Sequence, residues 1–105
     1  MYELHEYVEG DTSPFGEWFH GLEAVAAARV DRYVRRMEHG NFGDSKSVGG
    51  GVRELRIHYG PGYRVYYGQD GDRLIILLGG GSKKRQSQDI AQAIARWETY
   101  QEKKD

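Results

Sequence analysis

Cysteine is absent from the 105 residues of this chain. That excludes a disulfide framework, a thiolate zinc site and a cysteine nucleophile, and it leaves a small chain to be stabilised by packing alone. A reducing, cytoplasmic setting is the expectation. Long apolar runs are missing as well. No run exceeds five residues, as in Leu74 to Leu78, against the roughly 20 that span a bilayer. The opening Met1-Tyr2-Glu3-Leu4-His5-Glu6 is acidic, whereas an export signal is basic and then apolar. Charge of one sign is lacking too: 15 Lys and Arg stand against 16 Asp and Glu, which argues against a general polyanion binder.

What is present suits a single domain over residues 1–105. Hydrophobic residues make up 38% and charged residues 30% of the chain, enough for a small core beneath a wet surface. The charge is unevenly spread. Residues 1–28 hold six acids (Glu3, Glu6, Glu9, Asp11, Glu17, Glu23) and no Lys or Arg, a net of −6. Residues 46–85 hold eight bases (Lys46, Arg53, Arg56, Arg64, Arg73, Lys83, Lys84, Arg85) against three acids (Glu54, Asp70, Asp72), a net of +5. Such asymmetry can build a local anion site on a nearly neutral protein.

Alternation from Tyr2 to Val8 predicts a strand, broken at Gly10-Asp11. Ser13-Pro14 is a helix start, serine as N-cap and proline in the first turn, with Phe15, Trp18 and Phe19 following at helical spacing. Leu22, Val25, Ala26, Val30, Tyr33 and Met37 then draw an apolar stripe along a second helix that stops at Gly40. Asn41 to Gly51, with four glycines and no apolar period, reads as a mobile connection. Beyond it the period becomes two. Val52–Tyr59, Tyr63–Tyr67 and Arg73–Leu78 form a predicted antiparallel meander turning at Gly60-Pro61-Gly62 and Asp70-Gly71. Gly79-Gly80-Gly81 ends the meander, and Ser87 with Asp89 opens a last helix with the stripe Ile90, Ala93, Ile94 and Trp97. The expectation is an α+β fold of order β-α-α-β-β-β-α.

Several chemistries fail on residue supply. The four histidines (His5, His20, His39, His58) show no metal-ligand spacing. Gly79-Gly80-Gly81-Ser82-Lys83-Lys84 shares only composition with a phosphate loop, because its glycine spacing and Gly-Lys-Ser/Thr ending are absent. The informative set is Arg56 and His58 on one strand, Arg64 and Tyr66 on the next, and Lys83, Lys84 and Arg85 before the last helix. Parity puts the four strand residues on one face, opposite Leu55, Ile57, Val65 and Tyr67. Singly, each is an ordinary solvated or ion-paired residue, with Glu54 available as a partner. Together they make a wet or anion-holding face.

The run Gly51-Val52-Arg53-Glu54-Leu55-Arg56-Ile57, then Gly60-Pro61-Gly62-Tyr63-Arg64-Val65-Tyr66-Tyr67, then Leu77-Leu78-Gly79-Gly80-Gly81-Ser82-Lys83-Lys84 with Gln86, Asp89-Ile90 and Ala93, resembles the RelE/ParE toxin superfamily of type II toxin–antitoxin modules. It is most similar to the HigB-like branch of addiction-module killer proteins. The resemblance covers residues 51–97 and implies a helical hairpin and a terminal helix on a curved antiparallel sheet. It also implies mRNA cleavage, often on the ribosome, and a cognate antitoxin of helix-turn-helix type. DNA would be met only through that antitoxin, and no membrane partner or cofactor is implied.

Metal-independent RNA cleavage needs a group to take the ribose 2′-hydroxyl proton, a group to protonate the leaving oxygen, and cations around phosphorus. His58 is the natural proton-transfer residue, since an unperturbed imidazole titrates near pH 6.5. Arg56 and Arg64 match the family's sheet cations and can fork donors onto phosphate oxygens. Lys83-Lys84 matches its basic pair after the last strand, with Lys84 as a further catalytic candidate, and Tyr66 is a candidate to stack on a base or donate a proton. Arg53, Lys83, Arg85 and Lys46 are the expected RNA-binding residues. The tyrosine that some ribosome-dependent members carry early in the last helix has no counterpart in Gln86 to Ile90. The alternative within the superfamily is a ParE-like inhibitor that binds DNA gyrase without cutting RNA.

Overall fold

The computed structural model describes residues 1–104. The chain has five strands, β1 (Glu3–Glu6), β2 (Asp44–Gly49), β3 (Val52–Ile57), β4 (Tyr63–Asp70) and β5 (Leu74–Ser82), with helices α1 (Pro14–His20) and α2 (Ala24–Glu38) between β1 and β2 and α3 (Gln86–Lys103) after β5. A 3-10 turn, Lys83–Arg85, joins β5 to α3. The sheet is open, in the order β1-β5-β4-β3-β2. Strands β2 to β5 pair antiparallel, whereas β1 runs parallel to β5.

Three expectations are corrected. Asn41–Gly51 contains strand β2, so the order is β-α-α-β-β-β-β-α. β2 is an edge strand that is half-buried only at Ser45 and Val48, and its residues show no apolar alternation because neither face is fully covered. The sheet is mixed, not wholly antiparallel, because α1 and α2 intervene between β1 and the meander and return the chain in the same direction as β5. β5 runs through its glycines to Ser82, since β4 continues to pair with it up to Tyr63–Ser82.

The helix signals act locally. Ser13 Oγ accepts from the Gly16 N–H at 2.8 Å, capping α1. Glu23 caps α2 by accepting from the Val25 and Ala26 N–H groups, so that helix begins after Leu22. Its buried stripe is Ala26, Val30, Val34 and Met37, while Val25 is 53% exposed.

Helices cover both sheet faces. Against one face, Phe15, Val30, Val34 and Met37 pack on Leu55, Ile57, Val65, Tyr67, Ile75 and Leu77. Against the other, Ala93 and Trp97 of α3 pack on Val52, Tyr66, Ile76 and Leu78. Burying each such side chain contributes on the order of 1.5–3 kcal/mol before conformational entropy is counted. The face carrying Arg56, Arg64 and Tyr66 is thus partly roofed by α3. The end of that face near the β3–β4 turn opens to solvent in a cleft.

Candidate functional site

The β3–β4 register sets Arg56 opposite Arg64 and Glu54 opposite Tyr66. Opposed residues in an antiparallel ladder share a face, so two guanidinium groups stand side by side with a carboxylate one pair inward. Glu54 is fully buried. Its Oε1 accepts from Arg56 Nε at 3.1 Å and its Oε2 from Gln86 Nε2 at 2.9 Å. Arg64 Nε lies 3.5 Å from the same Oε2 and has no aligned hydrogen bond of its own. Arg64 Nη1 donates to the Gly62 carbonyl at 3.3 Å. A buried charge needs this kind of enclosure, and here it fixes both arginines at the floor of a cleft.

That cleft, about 450 Å³, is lined by Arg56, His58, Tyr59, Tyr63, Arg64 and Lys83 around the Gly60-Pro61-Gly62 turn. Gly60 and Gly62 hold φ of +56° and +82°, a region in which a side chain is strained. The turn therefore bends tightly and leaves the cleft open. His58 lies just past β3, exposed, with Nε2 2.7 Å from Asp44 Oδ2. Asp44 stands opposite Arg56 in the β2–β3 ladder. The hydrogen bond from His58 holds the Asp44 carboxyl below the usual carboxylate range. Imidazole, guanidinium groups and the Lys83 ammonium thus converge on one opening, a suitable seat for a phosphodiester.

The other expected residues are distributed differently. Lys46 faces the same side as Glu54 and is exposed on the edge strand. Lys84 is exposed on the 3-10 turn beside Lys83. Arg53 is opposed to Tyr67, and Tyr67 belongs to the core under α1 and α2, so Arg53 is on the other face of the sheet and away from the cleft. Arg85 donates to Gln88 Oε1 at 3.0 Å and turns toward a second opening. Tyr66 is fully buried, which corrects its candidacy for base stacking. Burial first, and then the Glu54 charge, hold its phenol well above the ordinary range, so it is a poor proton donor; its hydroxyl stands near Glu54 without hydrogen-bond geometry.

Glu54, Gln86 and Asp44 were not singled out as site residues from the sequence. The signal for Glu54 was its place in the polar alternation of β3, two residues before Arg56. Gln86 stood among the residues that carry the family resemblance but without a role, and Asp44 gave no signal, because their roles depend on where α3 and β2 dock. Among the described residues, no group of three or more His, Cys, Asp or Glu stands together as a metal site, and no helix is long and apolar enough to cross a membrane.

A Haemophilus influenzae protein (strain ATCC 51907 / DSM 11121 / KW20 / Rd) described as an uncharacterized protein is 46% identical to this chain over 83 residues, 78% of this chain and 84% of its own length. Residues 17–102 match the family model described as "Phage derived protein Gp49-like (DUF891)". That match takes in the second half of α1, all of α2 and the whole cleft. The chain belongs to the phage-derived Gp49-like family, part of the toxin-like RelE/Gp49 superfamily and related to the toxins of toxin–antitoxin modules.

Proposed function

We propose that the protein is the RNA-cleaving toxin of a type II toxin–antitoxin module of HigB-like character, acting without a metal on mRNA at the ribosome. The observation that carries this reading is the pair Arg56–Arg64, tethered side by side by buried Glu54, with Lys83 and the His58–Asp44 pair around the same opening. Two fixed guanidiniums are suited to the equatorial oxygens of a phosphorane-like transition state, where preorganised charge has most effect.

In the reaction this arrangement supports, the ribose 2′-oxygen forms a bond to phosphorus and the bond to the 5′-oxygen breaks. His58 takes the 2′-hydroxyl proton, and the imidazolium so formed returns a proton to the departing oxygen. The products are a 2′,3′-cyclic phosphate and a 5′-hydroxyl. Asp44 accepts from His58 and orients the ring. Lys83 and Lys84 attract the backbone.

The test is cleavage of end-labelled single-stranded RNA by the purified protein, presented free and in programmed ribosomes. Arg64→Ala is expected to slow cleavage on the order of 100-fold, the loss typical of one oxyanion donor, and products should carry cyclic phosphate ends. Intact RNA in both settings contradicts the reading. Toxicity retained in full by Arg64→Ala points instead to a bound target such as gyrase.

A further inference from the structure

The Gly79-Gly80-Gly81 run has no part in the cleft of Arg56 and Arg64. No turn requires it, since all three glycines lie within β5 and none has positive φ. Close approach explains it. A Cβ at Gly79 would sit 2.9 Å from Arg96 Nη1, and one at Gly80 or Gly81 would overlap the Trp18 ring or the Asp89 carboxylate. The glycines let Arg96 and Asp89 of α3 lie directly on one face of the strand and Trp18 of α1 on the other. Together with Arg85 and Gln92 these side chains enclose a second cleft of about 390 Å³, beyond Leu77, where pairing with β1 ends.

Arg85, Asp89, Gln92 and Arg96 follow steps of four, three and four along α3 and its approach, hence one helical face. Arg85 and Arg96 are balanced by Asp89 and by Glu17, which also lines the cleft, so this is not a phosphate seat. Both arginines are engaged elsewhere: Arg85 with Gln88, and Arg96 with the Leu78 carbonyl at 3.1 Å. Asp89 is half-buried, and no hydrogen bond or ion pair reaches its carboxylate among the described residues. Burial raises its pKa despite the neighbouring arginines. It is a half-buried acceptor without a protein donor among the described residues.

Guanine is the RNA base that meets this need. Its pairing edge sets N1–H and the N2 amine side by side, two donors for one carboxylate. Adenine and cytosine place an acceptor nitrogen beside their amine, and uracil flanks its one N–H with carbonyls. Gln92, one turn from Asp89, has an amide for the guanine O6. Lys83 lines the first cleft and Arg85 the second, at the two ends of one 3-10 turn, so a strand held at the first cleft leads into the second.

We propose that the cleft of Trp18, Asp89, Gln92 and Arg96 is a guanine-reading subsite for the strand cleaved beside Arg56 and Arg64, with Asp89 as the specificity residue. The inference rests on the RNA-cleavage reading.

Its test is a set of short RNAs, free and on ribosomes, in which G, A, C, U or inosine is moved through each position around the cleaved bond. Wild type should cut best with G at one fixed offset, and inosine there, which lacks the N2 amine, should cost about tenfold or more. Asp89→Asn, verified as folded by its thermal melt, should cut the G and inosine RNAs equally. Cleavage by wild type without guanine preference overturns the inference and leaves the RNA-cleavage reading standing, as does full guanine preference in Asp89→Asn. Should Asp89→Asn not fold, the inosine comparison in wild type decides alone. Absence of any cleavage by wild type removes both. Loss of antitoxin binding in Asp89→Asn, with base preference unchanged, assigns the cleft to a protein partner and overturns the proposal.

Discussion

The Glu54 side chain is fully buried, and what surrounds it sets the geometry of the cleft. Arg56 and Gln86 donate to it, and Arg64 stands 3.5 Å away. Two guanidiniums held apart in water would repel each other. Around one carboxylate they can stand side by side and present their remaining donors outward. Glu54→Gln keeps the shape and removes the charge. It leaves Arg64 buried without its counter-ion, and we expect a loss of about 3 kcal/mol in denaturant unfolding, together with slower RNA cleavage. Unchanged stability would mean that the arginines are held by something other than this carboxylate. The sequence made the face visible and its centre obscure. Alternation in β3 and β4 placed Arg56 and Arg64 together, because period two is a local property. That Glu54 is sealed rather than solvated depends on Gln86, 32 residues away, and no local pattern reports it. Tyr66 was misread for the same reason: its place in the alternation is polar, yet α3 lies over it.

Among the elements, the last helix is the one on which the site depends. It covers the face through Trp97, which packs on Gly68 of β4, where an added Cβ would stand 2.5 Å from the indole ring. Gly68→Ala forces ring or strand to shift and is expected to cost about 1–3 kcal/mol, as overpacking does, read as a lowered denaturant midpoint. An unchanged midpoint would show that α3 sits less tightly than the structure has it. The far end of α3 is latched by Asp70, which accepts from Tyr100 Oη at 2.6 Å and Lys104 Nζ at 2.8 Å. The Lys104 hydrogen bond, then that of Tyr100, lower the Asp70 pKa below 3.8. Its stabilising contribution is therefore present above pH 3.8 and is lost as pH falls through the lowered value. Burial and the Asp70 hydrogen bond raise the Tyr100 phenol from 10.0 to about 12. That contribution is complete below pH 10 and is lost as pH rises from 10 through about 12. Tyr100→Phe should flatten the alkaline fall in melting temperature across this window, and a curve of unaltered shape would contradict the latch. The Ser13 cap of α1 and the apolar stripe of α3 were legible in the sequence, whereas the Glu23 cap of α2 was not, and α3 starts at Gln86 without a side-chain cap, one residue before the expected opening at Ser87. Strand β2 was not legible, because an edge strand pairs through its backbone while its exposed side chains follow no apolar rule.

At the scale of the whole molecule, charge is divided along the chain. Five of the six acids of residues 1–28 sit on β1, α1 and the turn between them, with Glu23 capping α2, and the bases of residues 46–85 sit on β2, β3, β4 and the 3-10 turn, except Arg73, which adjoins β1. A chain of formal net charge −1 can thus carry a cationic cleft. The toxin-like family implies an antitoxin partner in general. Cleavage of RNA at the opening is tested most directly by inducing wild type and Arg64→Ala in a bacterial host and mapping the 5′ ends of cellular mRNA within minutes. New ends at recurrent sequences are expected with wild type and should disappear with Arg64→Ala. Growth arrest without new ends, or the same ends with Arg64→Ala, would contradict cleavage at the opening.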